Sequence, residues 1–406
     1  MVKIGIIGFG VVGSGVYEVI RKNKESISRK AGSEIDIKYI LDIRDFSSHE
    51  ESNLFVNNFD VMVEDKEVSI IVETMGGLNP AYEYTKRALS SGKSVVTSNK
   101  ELVATYGDEL LKIAYDNNCS YLFEASVGGG IPIIRPLNQC LAANEISGIA
   151  GILNGTTNYI LTQMIKKGQS FEDALKDAQK LGYAESNPSA DVDGHDACRK
   201  ISILTSLSTG KKIDYKKVYT EGITKITLRN VEYASKIDSV IKLIGMANVL
   251  ENGSVSVMVA PMMISKSNPL SSVEDVNNAI MVSGNAIGKA MFYGPGAGKL
   301  PTASAVVADV IDVAKKPGKE NRLLWVDAPD NVIAPQDETE FAYFVRVGEK
   351  SDGIKEKISS EFSNAEIVDI YDDELGFVTE KMSEGMLKAK LSSLGEKVID
   401  FVRIMA

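Results

Sequence analysis

Between Glu185 and Lys200 the chain gathers four carboxylates, those of Glu185, Asp191, Asp193 and Asp196, and closes on Arg199 and Lys200. The surrounding segment reads as an ordinary apolar helix, so the cluster points to chemistry on a small, charged substrate. Asp196 and Lys200 stand at i and i+4 and share one helical face. On a surface such a pair contributes roughly a few tenths of a kcal/mol. Here Ile201, Ile203, Leu204 and Leu207 make the continuation a core helix, which places the polar turn at its N-terminal end, where a cleft would lie. A lysine held by an aspartate near a carbonyl oxygen can donate a proton or stabilise the alkoxide that develops during hydride transfer. Glu185 suits an ammonium group on the substrate. His195 adjoins the cluster as a bystander; with His49 it is one of only two histidines, which argues against histidine metal sites and Ser-His-Asp hydrolysis.

The first residues indicate where the hydride comes from. Val2–Ile7 is a short apolar strand that runs directly into Gly8-Phe9-Gly10-Val11-Val12-Gly13, the dinucleotide fingerprint in its context of strand, turn and helix. The glycines permit a tight bend, close approach of a pyrophosphate and close packing of helix on strand, with the helix start at Val11 and Val12 turned to the anion. The second strand ends in Leu41-Asp42-Ile43-Arg44. Asp42 suits the ribose hydroxyls of NAD and Arg44 the additional phosphate of NADP, so both cofactors stay open, with a lean to NADP. Thr74-Met75-Gly76-Gly77 and Ser98-Asn99-Lys100 fall beyond the carboxyl ends of later strands, where ligands bind in such sheets. Lys100 opens a helix capped by Asn99 and faces that crevice. Glu124 and the glycine loop Val127–Ile131 combine a strand-end carboxylate with exposed backbone carbonyls, which suit a hard cation such as Na⁺ or K⁺ and equally a plain hinge.

The elements behind these residues alternate. Strands at Lys3–Gly8, Asp36–Leu41, Ser69–Glu73, Ser94–Thr97 and Ser120–Glu124, with helices such as Pro80–Ser90 and Lys100–Asp116, predict a Rossmann-type doubly wound parallel α/β domain over 1–145. An α+β substrate-binding and catalytic domain is expected over 146–312, from the strand Ile146–Leu153 through helices at Tyr159–Lys167, Phe171–Leu181 and Ala190–Leu207 and the strand Val255–Pro261. Its closing helix, around Pro301–Asp309, returns to the nucleotide domain. A linker is expected over 313–340, and 341–406 reads β, α, β, β, α, β, the split plan of a ferredoxin-like module.

A chain of 406 residues suits two or three domains. Its net charge of −10, with no basic block, argues against nucleic acid as a partner. Cys119, Cys140 and Cys198 match neither a disulfide framework nor a zinc spacing and read as reduced thiols. No stretch approaches the roughly 20 apolar residues of a membrane span, and the first strand begins at residue 2. A cytoplasmic protein is expected.

These motifs together resemble homoserine dehydrogenases over nearly the whole chain. The resemblance rests on Gly8–Gly13, Ser98-Asn99-Lys100, Glu124–Pro132, the run Asn154-Gly155-Thr156-Thr157-Asn158-Tyr159-Ile160-Leu161, Gly182-Tyr183-Ala184-Glu185, Asp191–Lys200, Gly296-Ala297-Gly298 and Pro301–Val306. It implies NAD(P)H-dependent interconversion of L-aspartate 4-semialdehyde and L-homoserine, on the route to threonine, methionine and isoleucine. Carried onto this chain it makes Lys200 the proton donor, places Lys100 at the nicotinamide end, and has Glu185 and Asp196 bind substrate with Asp191 in support. A monovalent cation would sit on Glu124 and the backbone oxygens of Val127, Gly129 and Ile131, and Gly298 with its helix would cover the cofactor. The C-terminal segment looks like an ACT module, with Lys350–Ile354 at the turn where such modules hold an amino acid; threonine regulation and a role in dimer contacts are both expectations. A homodimer or higher homo-oligomer is the expected assembly. Glu185-Ser186-Asn187-Pro188-Ser189 departs from the Glu-Pro-Asp-Pro-Arg of many family members, which bears on cofactor preference and loop geometry rather than on the reaction. Two other readings compete. Aspartate-semialdehyde dehydrogenase needs a nucleophilic cysteine in a glycine-rich setting, which none of the three has. An amino-acid sensor with an inactive nucleotide domain would have no use for Lys100, Glu185, Asp196 and Lys200 together.

Overall fold

In the computed structural model residues 1–316, 324–329 and 331–405 are described, so part of the expected linker, with Ala406, lies outside the described residues. The chain divides into two compact units, 1–145 with 202–216 and 285–328, and 146–201 with 217–284 and 329–406. Among the described residues no helix is long and apolar enough to cross a membrane.

The first unit carries a six-stranded parallel sheet in the order β3-β2-β1-β4-β5-β6, where β1 is Val2–Ile7, β2 Ile35–Leu41, β3 Phe55–Val56, β4 Val68–Glu73, β5 Ser94–Thr97 and β6 Tyr121–Leu122. This is the doubly wound order of dinucleotide-binding sheets. The strands read as near-continuous apolar runs because helices cover both faces, and Ile4, Ile6, Val72 and Val96 are fully buried. Register brings the strand ends level, with Ile7 opposite both Leu41 and Glu73, and Glu73 opposite Thr97. Gly8, Asp42, Thr74 and Ser98 therefore emerge side by side at one edge.

The strands of the second unit are β7 (Ile146–Ile152), β8 (Tyr219–Thr220), β9 (Ser239–Val249), β10 (Val255–Ser265) and β11 (Asn277–Gly284). The chain then passes through first-unit residues in β12 (Gly288–Pro295) and the helix Lys299–Lys315. It re-enters as β13 (Glu340–Val347), β14 (Glu366–Val368), β15 (Leu375–Val378), β16 (Met382–Ser383) and β17 (Val398–Met405). Their order is β11-β7-β9-β10-β17-β13-β15-β14, with β8 beside β10 and β16 beside β13. The β, α, β, β, α, β segment after residue 340 sets its four main strands antiparallel in the order fourth, first, third, second. It shares sheet and core with the rest of the unit. β17 pairs in parallel with β10 from Met262–Arg403 to Ile264–Met405, and one buried cluster joins Ile152, Met262 and Ile264 to Tyr343, Phe362 and Leu387.

Candidate active site

In the second unit the acidic segment is broken at Gly194, whose φ of 85° lies in the left-handed region. The break separates a one-turn helix, Ser189–Val192, from the long helix His195–Thr209. A Cβ at Gly194 would meet Thr220 and Val259 at 3.1 and 3.2 Å, so the turn lies tight against β8 and β10. It sets Asp196 in the first turn of the long helix, one turn from Lys200. Lys200 is 8% exposed, and its ammonium makes two contacts that anchor it. One goes to the Leu153 carbonyl at 2.7 Å and one to Asp196 Oδ2 at 2.8 Å. Leu153 follows β7, and Asn154 caps the helix Gly155–Lys167 by accepting from the Thr157 amide. The Asn154 amide nitrogen donates to Asp191 Oδ1 at 2.7 Å and to Asp196 Oδ2 at 3.0 Å. Asp191, Asp196 and Lys200 are thus brought together. Glu185 is exposed on the next loop, where its backbone carbonyl accepts from Gln179, and Thr156 Oγ1 donates to the nearby Tyr183 carbonyl at 2.6 Å.

In the first unit Gly8 has a φ of 88°, and a Cβ on Gly13 would stand 1.9 Å from the Gly8 carbonyl oxygen. Thr74 closes the turn by donating from Oγ1 to that oxygen at 2.8 Å. At Gly10, cap of the helix Val11–Lys22, the space beside the backbone is open and no side chain serves as cap. An open helix start with no capping side chain is what a pyrophosphate requires. Asp42 accepts from the Phe9 amide at 2.7 Å and pairs in bidentate fashion with Arg44, Nε at 2.9 Å and an Nη at 2.8 Å. The Arg44 guanidinium holds the Asp42 carboxyl well below the usual carboxylate range. The two groups that sequence assigned to alternative cofactors therefore form one pair, with Arg44 more than half exposed.

Glu73 ends β4 fully buried. It accepts from Thr97 Oγ1 and from the Met75 amide, and burial pushes its carboxyl up to about 7. Asn99 caps the helix Lys100–Asp116 by accepting from Leu102, and its amide nitrogen donates to the Gly77 carbonyl at 2.7 Å. That bond ties the Thr74–Gly77 loop to the turn bearing Lys100.

Glu124 sits at the start of the one-turn helix Ala125–Gly128. Its buried carboxylate accepts from the amides of Ile133, Ile134 and Arg135 at 2.6, 2.8 and 2.8 Å, while its own amide donates to Asp309. Burial pushes Asp309 up to about 7 although Arg135 donates to it at 2.6 Å. Among the described residues the carbonyls of Val127, Gly129 and Ile131 accept no backbone hydrogen bond. Nor is there a cluster of three or more His, Cys, Asp or Glu side chains fit for a metal. Gly298, with a φ of 117°, caps the helix Lys299–Lys315. Sequence reasoning missed the roles of Asn154, Leu153 and Glu73. Asn154 carried a signal as a cap-forming residue ahead of a helix; the other two act through a carbonyl and a buried strand end, which no residue pattern marks.

The family model described as Homoserine dehydrogenase matches residues 132–311, and that of the Homoserine dehydrogenase, NAD binding domain, matches residues 8–124. The homoserine dehydrogenase of Neisseria gonorrhoeae is 41% identical over 367 residues, covering 86% of this chain and 82% of that protein. The crystal structure of a homoserine dehydrogenase from Thiobacillus denitrificans superposes with a TM-score of 0.91 at 36% identity, covering 100% of this chain and 98% of its own. A hyperthermophilic archaeal homoserine dehydrogenase in complex with NADPH does so with a TM-score of 0.67 at 32% identity, covering 78% and 99%.

Proposed function

The chain belongs to the homoserine dehydrogenase family, and we propose that Lys200 is the proton donor when its NAD(P)-dependent oxidoreductase chemistry interconverts L-aspartate 4-semialdehyde and L-homoserine. The supporting observation is the buried ammonium of Lys200, anchored on the Leu153 carbonyl and Asp196. When bound, the reduced nicotinamide supplies the hydride for the aldehyde carbon. Lys200 passes a proton to the carbonyl oxygen as that oxygen becomes the hydroxyl, and takes it back in the oxidative direction. Asp196 keeps the lysine in place through both states and binds substrate together with Glu185, which takes the substrate's amino group, with Asp191 in support.

Residues 1–145 form the nucleotide domain in this reading, with Gly8, Gly10, Val11, Val12, Gly13 and Thr74 around the pyrophosphate and Lys100 toward the nicotinamide. Arg44 binds the additional phosphate of NADP, and Gly298 with its helix covers the cofactor. Residues 146–312 bind substrate and close over it, and 313–340 link to an ACT-like module at 341–406. In that module the turn Lys350–Ile354 is proposed to bind an amino acid such as threonine; Ser351 caps its helix by accepting from the Ile354 amide, and Lys350 pairs with Asp369. Glu124 and the carbonyls of Val127, Gly129 and Ile131 would hold Na⁺ or K⁺, whose charge would fix the turn. A homodimer is proposed, the edge strand β14 offering backbone groups for pairing.

The test is reduction of NADP⁺ and NAD⁺ by L-homoserine at 340 nm, with and without threonine. Lys200→Ala should lose about 10²–10⁴-fold in kcat while binding NADPH as the parent does by fluorescence titration. Retained turnover would overturn the assignment of the proton donor, and absence of turnover in the parent would overturn the reaction.

A further inference from the structure

Asn154 is 5% exposed and uses the full hydrogen-bonding capacity of its amide. Its oxygen accepts from the Thr157 amide at 2.9 Å and from Thr157 Oγ1 at 3.0 Å. Its nitrogen donates to Asp191 Oδ1 at 2.7 Å and to Asp196 Oδ2 at 3.0 Å. The cap thereby fixes which way the amide points, since a flipped group would set its oxygen against two carboxylates. Asp196 Oδ2 is the same atom that receives the Lys200 ammonium at 2.8 Å, and Leu153, whose carbonyl also receives that ammonium, is the preceding residue. One amide therefore joins the start of the helix Gly155–Lys167 to carboxylates on both sides of the Gly194 break.

We propose that Asn154 is a positioning residue for the reaction: its amide cross-braces Asp191 and Asp196 and so sets the aim of Lys200. The proposal rests on the role given above to Lys200. A displacement of about 1 Å in a reacting group can cost about 10²-fold in rate, and without this brace two neighbouring carboxylates lose the donor between them.

Asn154→Asp separates this role from simple capping, because aspartate caps a helix as well as asparagine does yet brings no donor. The expected result is a fall of about 10²-fold in kcat/KM for homoserine, carried mainly by kcat, with the Kd for NADPH near the parent's. Adding Asp191→Asn restores an amide–carboxylate pair with its members exchanged, so the double variant should lose less than the product of the two single losses. Activity of Asn154→Asp within about threefold of the parent, about 0.65 kcal/mol, would overturn the proposal, and so would losses that multiply. Should Asn154→Asp fail to fold, Asn154→Ser carries the same test, since its hydroxyl caps the helix but cannot span both carboxylates. If the parent itself does not oxidise homoserine the reaction fails; if it does and the variants match it, only the brace fails.

Discussion

Replacing Glu73 by glutamine should raise the stability of the nucleotide unit above neutral pH and lower it slightly in acid. Glu73 has no accessible surface, and burial lifts its carboxyl from 4.5 to about 7. Thr97, Asn99 and the Met75 amide are the polar groups acting on it, and its charge reaches the buried Tyr121. Between these two values the unfolded chain gives up the proton while the folded protein keeps it, so stability falls as pH rises from about 4.5 to 7 and stays lower beyond. The shift corresponds to about 3 kcal/mol. Glutamine removes this cost because it is neutral throughout. It still accepts from Met75, but its amide nitrogen displaces the Thr97 hydroxyl hydrogen, a loss of about 1 kcal/mol. The net expectation is a gain of about 2 kcal/mol at pH 8.5 and a loss of about 1 kcal/mol near pH 4.5. For a unit of this size that is an increase of roughly 4–8 °C in melting temperature at pH 8.5. Asp309, raised in the same window, acts equally in both proteins and drops out of the difference. Thermal melts of parent and Glu73→Gln from pH 4.5 to 8.5 check the crossover. A difference that does not change with pH would refute the claim that Glu73 is held neutral by burial.

Arg44→Ala should lower kcat/KM for NADP⁺ about tenfold or more, the scale of a charge-assisted contact, and leave NAD⁺ less affected because Asp42 is released from its pair; initial rates with each cofactor measure the ratio. Gly13→Ala should abolish cofactor binding, since its methyl would meet the Gly8 carbonyl at 1.9 Å, and NADPH fluorescence titration reports it. Replacing Na⁺ and K⁺ by tetramethylammonium at constant ionic strength should reduce turnover, with recovery on return of either ion. Full activity in the bulky cation alone would remove the Glu124 site from the reaction.

What the sequence revealed follows from which interactions are local. The fingerprint at Gly8–Gly13, the strand ends and the helix Lys100–Asp116 were legible because periodicity and turn residues are written in consecutive positions. The Asp196–Lys200 pair was legible as helical spacing. Other parts were written in no single segment. Strands β9 and β11 went unread although the Asn252-Gly253 turn after β9 and Ser283-Gly284-Asn285 at the end of β11 punctuate them, and β3 went unread because two residues form no pattern. The bidentate Asp42–Arg44 pair was hidden, since two side chains suited to rival cofactors are also suited to each other. The union of 341–405 with 217–284 was hidden for a different reason: it depends on the pairing of β17 with β10 across more than a hundred residues.

The same contrast explains why asparagines carry so much of the site. Asn99 and Asn154 each follow a strand and cap the next helix, accepting with the side-chain oxygen from the amide three residues on. A cap consumes the oxygen and leaves the two amide hydrogens pointing away from the helix. In Asn99 one goes to the Gly77 carbonyl, tying together the loops after β4 and β5; in Asn154 they go to Asp191 and Asp196. Serine or threonine would have capped as well but has a single hydrogen, and aspartate has none. A strand-to-helix turn that must both start its helix and hold a neighbouring acceptor thus selects asparagine, and the residue that sequence reads as punctuation is the one that fixes the geometry of Lys200.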